Sequence, residues 1–108
     1  MRAMEKRILE EAGYDVVAAV DGMDALVALG RSTFAAVVSD IVMPNMDGLT
    51  LTARIRQEIR YKDLPIILVT SLSSDEDKRR GLEAGANAYI PKPSFDQRVL
   101  LETLKRLI

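Results

Sequence analysis

Four short apolar runs, residues 14–20 (YDVVAAV), 34–38 (FAAVV), 64–70 (LPIILVT) and 88–91 (AYIP), alternate with stretches whose apolar residues recur at helical spacing. Each run is too short for a buried helix and all but the last carry two or more β-branched side chains, which reads as strand; the stretches between them read as amphipathic helix. The first helix spans 1–12, with Met4, Ile8 and Ala12 on one face and Gly13 at its end. Asp21 caps a second helix over 22–29, stopped by Gly30. Asp47 caps a third over 49–60, where Leu49, Thr52, Ile55 and Ile59 share a stripe. Residues 73–77 open a fourth with capping-box spacing, and Gly85 closes it. Ser94 and Gln97 start the last helix, whose core face is Leu100, Leu101, Leu104, Leu107 and Ile108. The order α-β-α-β-α-β-α-β-α constrains the fold to a parallel sheet covered by helices on both faces.

The chain's 108 residues suit one domain, and its 48% hydrophobic content is ample for a core. Histidine and cysteine are both absent, which excludes a Ser-His-Asp triad, an imidazole or thiolate metal site and a disulfide. Chemistry must therefore run on carboxylates, hydroxyls, lysines and backbone groups. Fifteen basic and sixteen acidic residues, scattered in sign, leave no basic footprint for nucleic acid. No apolar stretch approaches the ~20 residues of a membrane helix, and no signal peptide opens the chain. A cytoplasmic location is the expectation.

Open parallel sheets react at the carboxyl ends of their strands. Those ends here are Asp40, Thr70 and Lys92. Asp40 there could act as a nucleophile or a hard-metal ligand; taken singly, such an Asp is more often a turn or helix cap. Thr70 offers a hydroxyl to an oxyanion, or simply ends a strand. Lys92, set between Pro91 and Pro93, is restrained on both sides and can hold an ammonium over the sheet edge, where alone it would be an ordinary loop lysine. Carboxylate, hydroxyl and ammonium on three adjoining strand ends form a combination that none makes alone.

The strings SDIVMPNMDG (39–48), LPIILVTS (64–71) and GANAYIPKP (85–93), in this order and spacing, resemble the receiver domain of two-component response regulators across essentially the whole chain. The stretch VTSLSSDEDKRRGLEAGANAYI with the Ser-Phe-Asp-Gln helix start is similar to receivers of chemotaxis-type hybrid histidine kinases. The resemblance implies a flavodoxin-like doubly wound sheet of order 2-1-3-4-5. It makes Asp40 the phosphoacceptor, supplied by the phosphohistidine of a histidine kinase or histidine phosphotransfer domain. Lys92 would pair with one phosphoryl oxygen, and Thr70 would bond another. Tyr89 matches the aromatic that turns inward as Thr70 moves, linking the site to the face of the fourth helix, last strand and last helix, which a downstream protein reads. Pro44, Asp47, Gly48 and Pro93 shape loops, with the Lys92–Pro93 peptide bond resembling one that is cis in the family. Phosphoryl transfer needs positioning and charge stabilisation, which one ammonium, one hydroxyl, backbone N–H groups and Mg2+ can supply.

Receivers of this family open on a strand followed by two acidic residues that hold Mg2+, and the sequence begins after both. Glu5, a turn into a helix, is no substitute. With Asp40 and the backbone carbonyl of Val42 as the remaining protein ligands, Mg2+ affinity is expected to be weak. In the 2-1-3-4-5 order that strand is central, so a gap between two edges is expected. A missing N-terminal piece is the favoured account, beside a naturally short product and self-association that fills the gap. Val42 and Leu72, two residues after Asp40 and Thr70, flank the path of attacking water and are apolar, so slow hydrolysis of the phosphorylated Asp40 is expected. Two other functions compete. One is a non-phosphorylated interaction module docking through its last helix and strand. The other is a cofactor-binding enzyme of flavodoxin type, disfavoured because no phosphate loop or GxGxxG follows a strand.

Overall fold

A computed structural model describes residues 3–41, 46–70, 75–91 and 97–108. It has helices α1 (Ala3–Glu11), α2 (Gly22–Arg31), α3 (Gly48–Arg56), α4 (Asp75–Glu83) and α5 (Gln97–Leu107). Strands β1 (Val37–Ser39), β2 (Ile66–Thr70) and β3 (Ala88–Pro91) form a parallel sheet in the order β1-β2-β3. All five residues of β2 are buried, as a central parallel strand covered on both faces requires. Because side chains alternate between faces, Ile66, Leu68 and Tyr89 meet α2 and α3 residues Leu29, Leu51 and Ile55 in one cluster. On the other face Ile67, Val69 and Ile90 pack with Leu9 of α1 and Leu100 and Leu104 of α5. Helices thus cover both faces of a parallel sheet, and the fold is the α/β, flavodoxin-like architecture with three strands paired.

Residues 14–20 do not form the expected strand: among the described residues they join no ladder. A strand is defined by its partner, and here the extended segment is separated from β1 by a groove lined by Val17, Ala19, Val37 and Val38. The Val37 N–H donates to the Pro65 carbonyl at 2.8 Å. Alternation along a parallel strand then turns the N–H and C=O of Val38 away from β2, toward that groove. The expected central gap lies here.

Other boundaries shift for local reasons. Gly30, expected as a stop, is inside α2, which ends where the Ser32 N–H bonds the Ala28 carbonyl. The third helix stops at Arg56 rather than at residue 60, because Glu58 turns extended and a separate 3-10 turn follows at Ile59–Tyr61. Ile59 therefore leaves the core stripe and is 85% exposed, while Leu51 takes its place. Among the residues of α1 whose burial is described Leu9 is the buried one, and Ala12, just past the helix, is exposed. Ile108 likewise lies outside the core, beyond the end of α5. Gly13 and Gly85 do close their helices with positive φ, at 97° and 115°. Ser73, Ser74 and Ser94, expected to open helices, lie outside the described residues.

Candidate functional site

Asp40 directly follows β1 and is half-buried, while Thr70 ends the neighbouring β2 and is fully buried. The ladder pairs Ser39 with Leu68 and Thr70 with Pro91, so these termini stand side by side at the carboxyl edge. Lys92 follows Pro91 in the chain, but it lies outside the described residues, as do Val42, Pro44, Leu72, Pro93 and the Lys92–Pro93 peptide bond.

The backbone around Asp40 is held from several directions. The Ser39 hydroxyl donates to the Asp40 carbonyl at 2.8 Å. The Gly48 N–H donates to the Ile41 carbonyl at 2.8 Å, pinning the start of α3 against the end of β1. Asp47 caps that helix by accepting from the Thr50 N–H at 2.7 Å, and the buried Thr52 hydroxyl donates to the Gly48 carbonyl at 2.7 Å. A Cβ at Gly48 would overlap the Asp40 carbonyl oxygen and lie 2.9 Å from Ile41 Cα. Only glycine lets α3 start this close to Asp40, which gives the expected structural roles of Asp47 and Gly48 a geometry.

Tyr89 is buried in β3, at the same level as Leu68 and on the same face of the sheet as Thr70. Its ring lies under Gly81 of α4, where an added Cβ would be 2.8 Å from Cδ2 and 3.0 Å from Cε2. Burial raises the phenol pKa above its ordinary value, and the negative charges of Asp77 and Asp40 add to the rise. Tyr89 thus lies in the electrostatic field of the candidate site.

Two residues beyond the expected set support this arrangement. Arg56, at the end of α3, donates from Nε to the Gly85 carbonyl at 3.0 Å and through its terminal nitrogens to the Tyr61 carbonyl at 2.7 Å and Asn87 Oδ1 at 2.8 Å. Asn87 Oδ1 also accepts from the Ile66 N–H at 2.8 Å, so one guanidinium ties α3, the turn after it and the entry to β3 to the start of β2. Desolvation lowers the Arg56 pKa, and Asp63 partly offsets the shift. Gly81 is the second residue; the available signal was a glycine inside a helical pattern.

Among the described residues no three side chains of metal-ligating type come together. Asp40 is a hard oxygen ligand of the kind Mg2+ takes, but the described residues do not assemble a cage of carboxylates around one. No helix among them is long and apolar enough to cross a membrane.

A family model described as response regulator receiver domain matches residues 1–105. The gliding motility regulatory protein of Myxococcus xanthus is 38% identical over 106 residues, a match covering 98% of this chain and 14% of that protein. The chain thus spans a small part of that relative. A chemotaxis response regulator of Vibrio cholerae superimposes with a TM-score of 0.89 at 36% identity, covering 99% of this chain and 88% of the other. The receiver domain of a sensor histidine kinase from Pseudomonas aeruginosa, solved with a magnesium ion in its active-site cleft, gives a TM-score of 0.86 at 31% identity over 96% of this chain and 84% of its own.

Proposed function

Because the chain belongs to the response regulator receiver domain family, a family of signalling modules rather than conventional enzymes, we propose that it is a phosphoacceptor whose acceptor group is Asp40. The observation that carries this is the half-buried Asp40 directly after β1, at the same sheet edge as the buried Thr70 that ends the neighbouring β2. A carboxylate oxygen of Asp40 attacks the phosphorus of a partner's phosphohistidine, the P–N bond breaks, and the imidazole leaves with its electron pair. The product is an acyl phosphate on Asp40. Lys92 neutralises one of its oxygens, and the Thr70 hydroxyl donates to another. Mg2+, when bound by Asp40 and the Val42 carbonyl, would supply further charge neutralisation.

The switch follows from about two added negative charges beside Thr70. Thr70 and Tyr89 share a sheet face, so movement of the hydroxyl toward phosphate is felt at Tyr89 and at the surface of α4, β3 and α5. A downstream protein reads that surface. The phosphodonor is a histidine kinase or histidine phosphotransfer domain, since the chain has no histidine of its own. Residence in the cytoplasm and membership of a chemotaxis-type hybrid kinase complete this reading. Self-association is expected through the edge of β1, where Val38 presents backbone groups to the groove.

A second reading, a receiver that docks partners without phosphorylation, is favoured by the lack of a three-carboxylate cluster among the described residues. Phosphoramidate, whose P–N bond mimics phosphohistidine, separates the two. With Mg2+ present, one phosphoryl group should add to the chain and none to an Asp40→Asn variant. No addition to either would leave the docking module.

A further inference from the structure

Gly81 is a buried residue in the last turn of α4 and lacks the positive φ of the closing Gly85, so its own backbone does not call for glycine, which is disfavoured relative to alanine in a helix. Its surroundings account for it. A Cβ at Gly81 would stand 2.8 Å and 3.0 Å from the Tyr89 ring and 3.2 Å from Leu68 Cδ1. The ring occupies the space that any side chain at 81 would take, and Leu68 borders the same space. The raised phenol pKa, which begins with burial, agrees with a ring held inside.

We propose that Gly81 is a positioning residue for Tyr89: the notch it leaves in α4 holds the aromatic ring inward against Leu68, so the residue at 81 sets the choice between inward and outward ring. This rests on the reading above, in which Tyr89 couples Asp40 to the surface of α4, β3 and α5. The overlap is with a side chain, not with backbone. The ring can therefore escape by rotating about its own Cα–Cβ bond while α4 and β3 keep their places. Even a methyl group at 81 would turn it out. The consequence is a surface altered by an aromatic side chain, with the Asp40 edge untouched.

The test is NMR on the full chain with labelled tyrosine rings and leucine methyls. In the unsubstituted protein a cross-peak should join the Tyr89 ring to a Leu68 methyl. In Gly81→Ala it should fall roughly tenfold or more, as a two-state population is moved from one side to the other. Phosphoramidate labelling of Asp40 should persist in Gly81→Ala, so loss of labelling in the unsubstituted chain would count against the phosphoacceptor reading and not against this one. Thermal melts of Gly81→Ala in the normal and Tyr89→Ala backgrounds give an independent check. With the ring gone, alanine at 81 should raise Tm by about a few degrees through helix propensity; with the ring present it should not. If Gly81→Ala unfolds the normal chain but is tolerated beside Tyr89→Ala, the proposal stands. A cross-peak retained in Gly81→Ala, equal Tm changes in the two backgrounds, or unfolding in both would overturn it.

Discussion

Gly48→Ala should be among the most damaging single substitutions, although it adds one methyl group at a helix start that tolerates alanine. The new Cβ would overlap the Asp40 carbonyl oxygen and lie 2.9 Å from Ile41 Cα and 3.0 Å from the Asp40 carbonyl carbon. All three are backbone atoms, so no side chain can swing aside. Either α3 retreats or the end of β1 bends. Overpacking of this kind costs about 1–3 kcal/mol. Retreat of α3 also strains the Gly48 N–H to Ile41 carbonyl bond, worth about 1 kcal/mol, and the Asp47 cap, worth about another. A net loss of roughly 2–4 kcal/mol follows. Native domains hold only about 5–15 kcal/mol, and each kcal/mol moves Tm by about 4–8 °C at this size. Urea titration followed by circular dichroism should show that loss, and a parallel thermal melt a fall in Tm of roughly 8–30 °C. Phosphoryl uptake at Asp40 should also slow at temperatures where the variant is still folded, because the displaced atoms belong to Asp40 itself. A stability within about 0.5 kcal/mol of the parent, the usual range for surface substitutions, would refute the reasoning.

Further outcomes follow from other contacts. Arg56→Lys keeps the charge, but one ammonium cannot span the Gly85 and Tyr61 carbonyls and Asn87 Oδ1; a loss of about 1–3 kcal/mol by urea titration is expected. The raised pKa of Tyr89 gives stability a sign with pH. Below the unfolded tyrosine pKa of about 10 the contribution is fully present, and it is lost as pH rises from there through the folded value. Tyr89→Phe should flatten that alkaline decline in denaturation midpoints. Val42 and Leu72 are apolar, so phosphorylated Asp40 should hydrolyse slowly, and Val42→Asn with Leu72→Glu should shorten its half-life. A parent half-life already shorter than that of the double variant would contradict this.

What the chain revealed in advance was what local chemistry decides. Asp47 as a cap, Gly13 and Gly85 as helix ends, Thr70 as a strand terminus and Asp40 just past another each depend on residues within a few positions. Residues 14–20 have the composition of a strand, yet a strand needs a neighbour at hydrogen-bonding distance, and composition cannot supply one. Ile59 keeps the helical stripe of residues 49–55 in sequence, but the chain leaves the helix at Arg56, whose side chain reaches across to Gly85 and Asn87. Those partners are 29 and 31 residues away, beyond any local pattern. Gly81 was hidden for the same reason, since the ring that explains it belongs to another element.

The central claim is that Asp40 carries the phosphoryl group, and borohydride reduction tests it at the atom concerned. An acyl phosphate is reduced to an alcohol, so after phosphoramidate treatment residue 40 should be recovered as homoserine by peptide mass spectrometry. Homoserine at position 40, dependent on the phosphodonor and absent from Asp40→Asn, is the predicted result. Recovery of unmodified Asp40, or of the modification at another acidic residue, would contradict it.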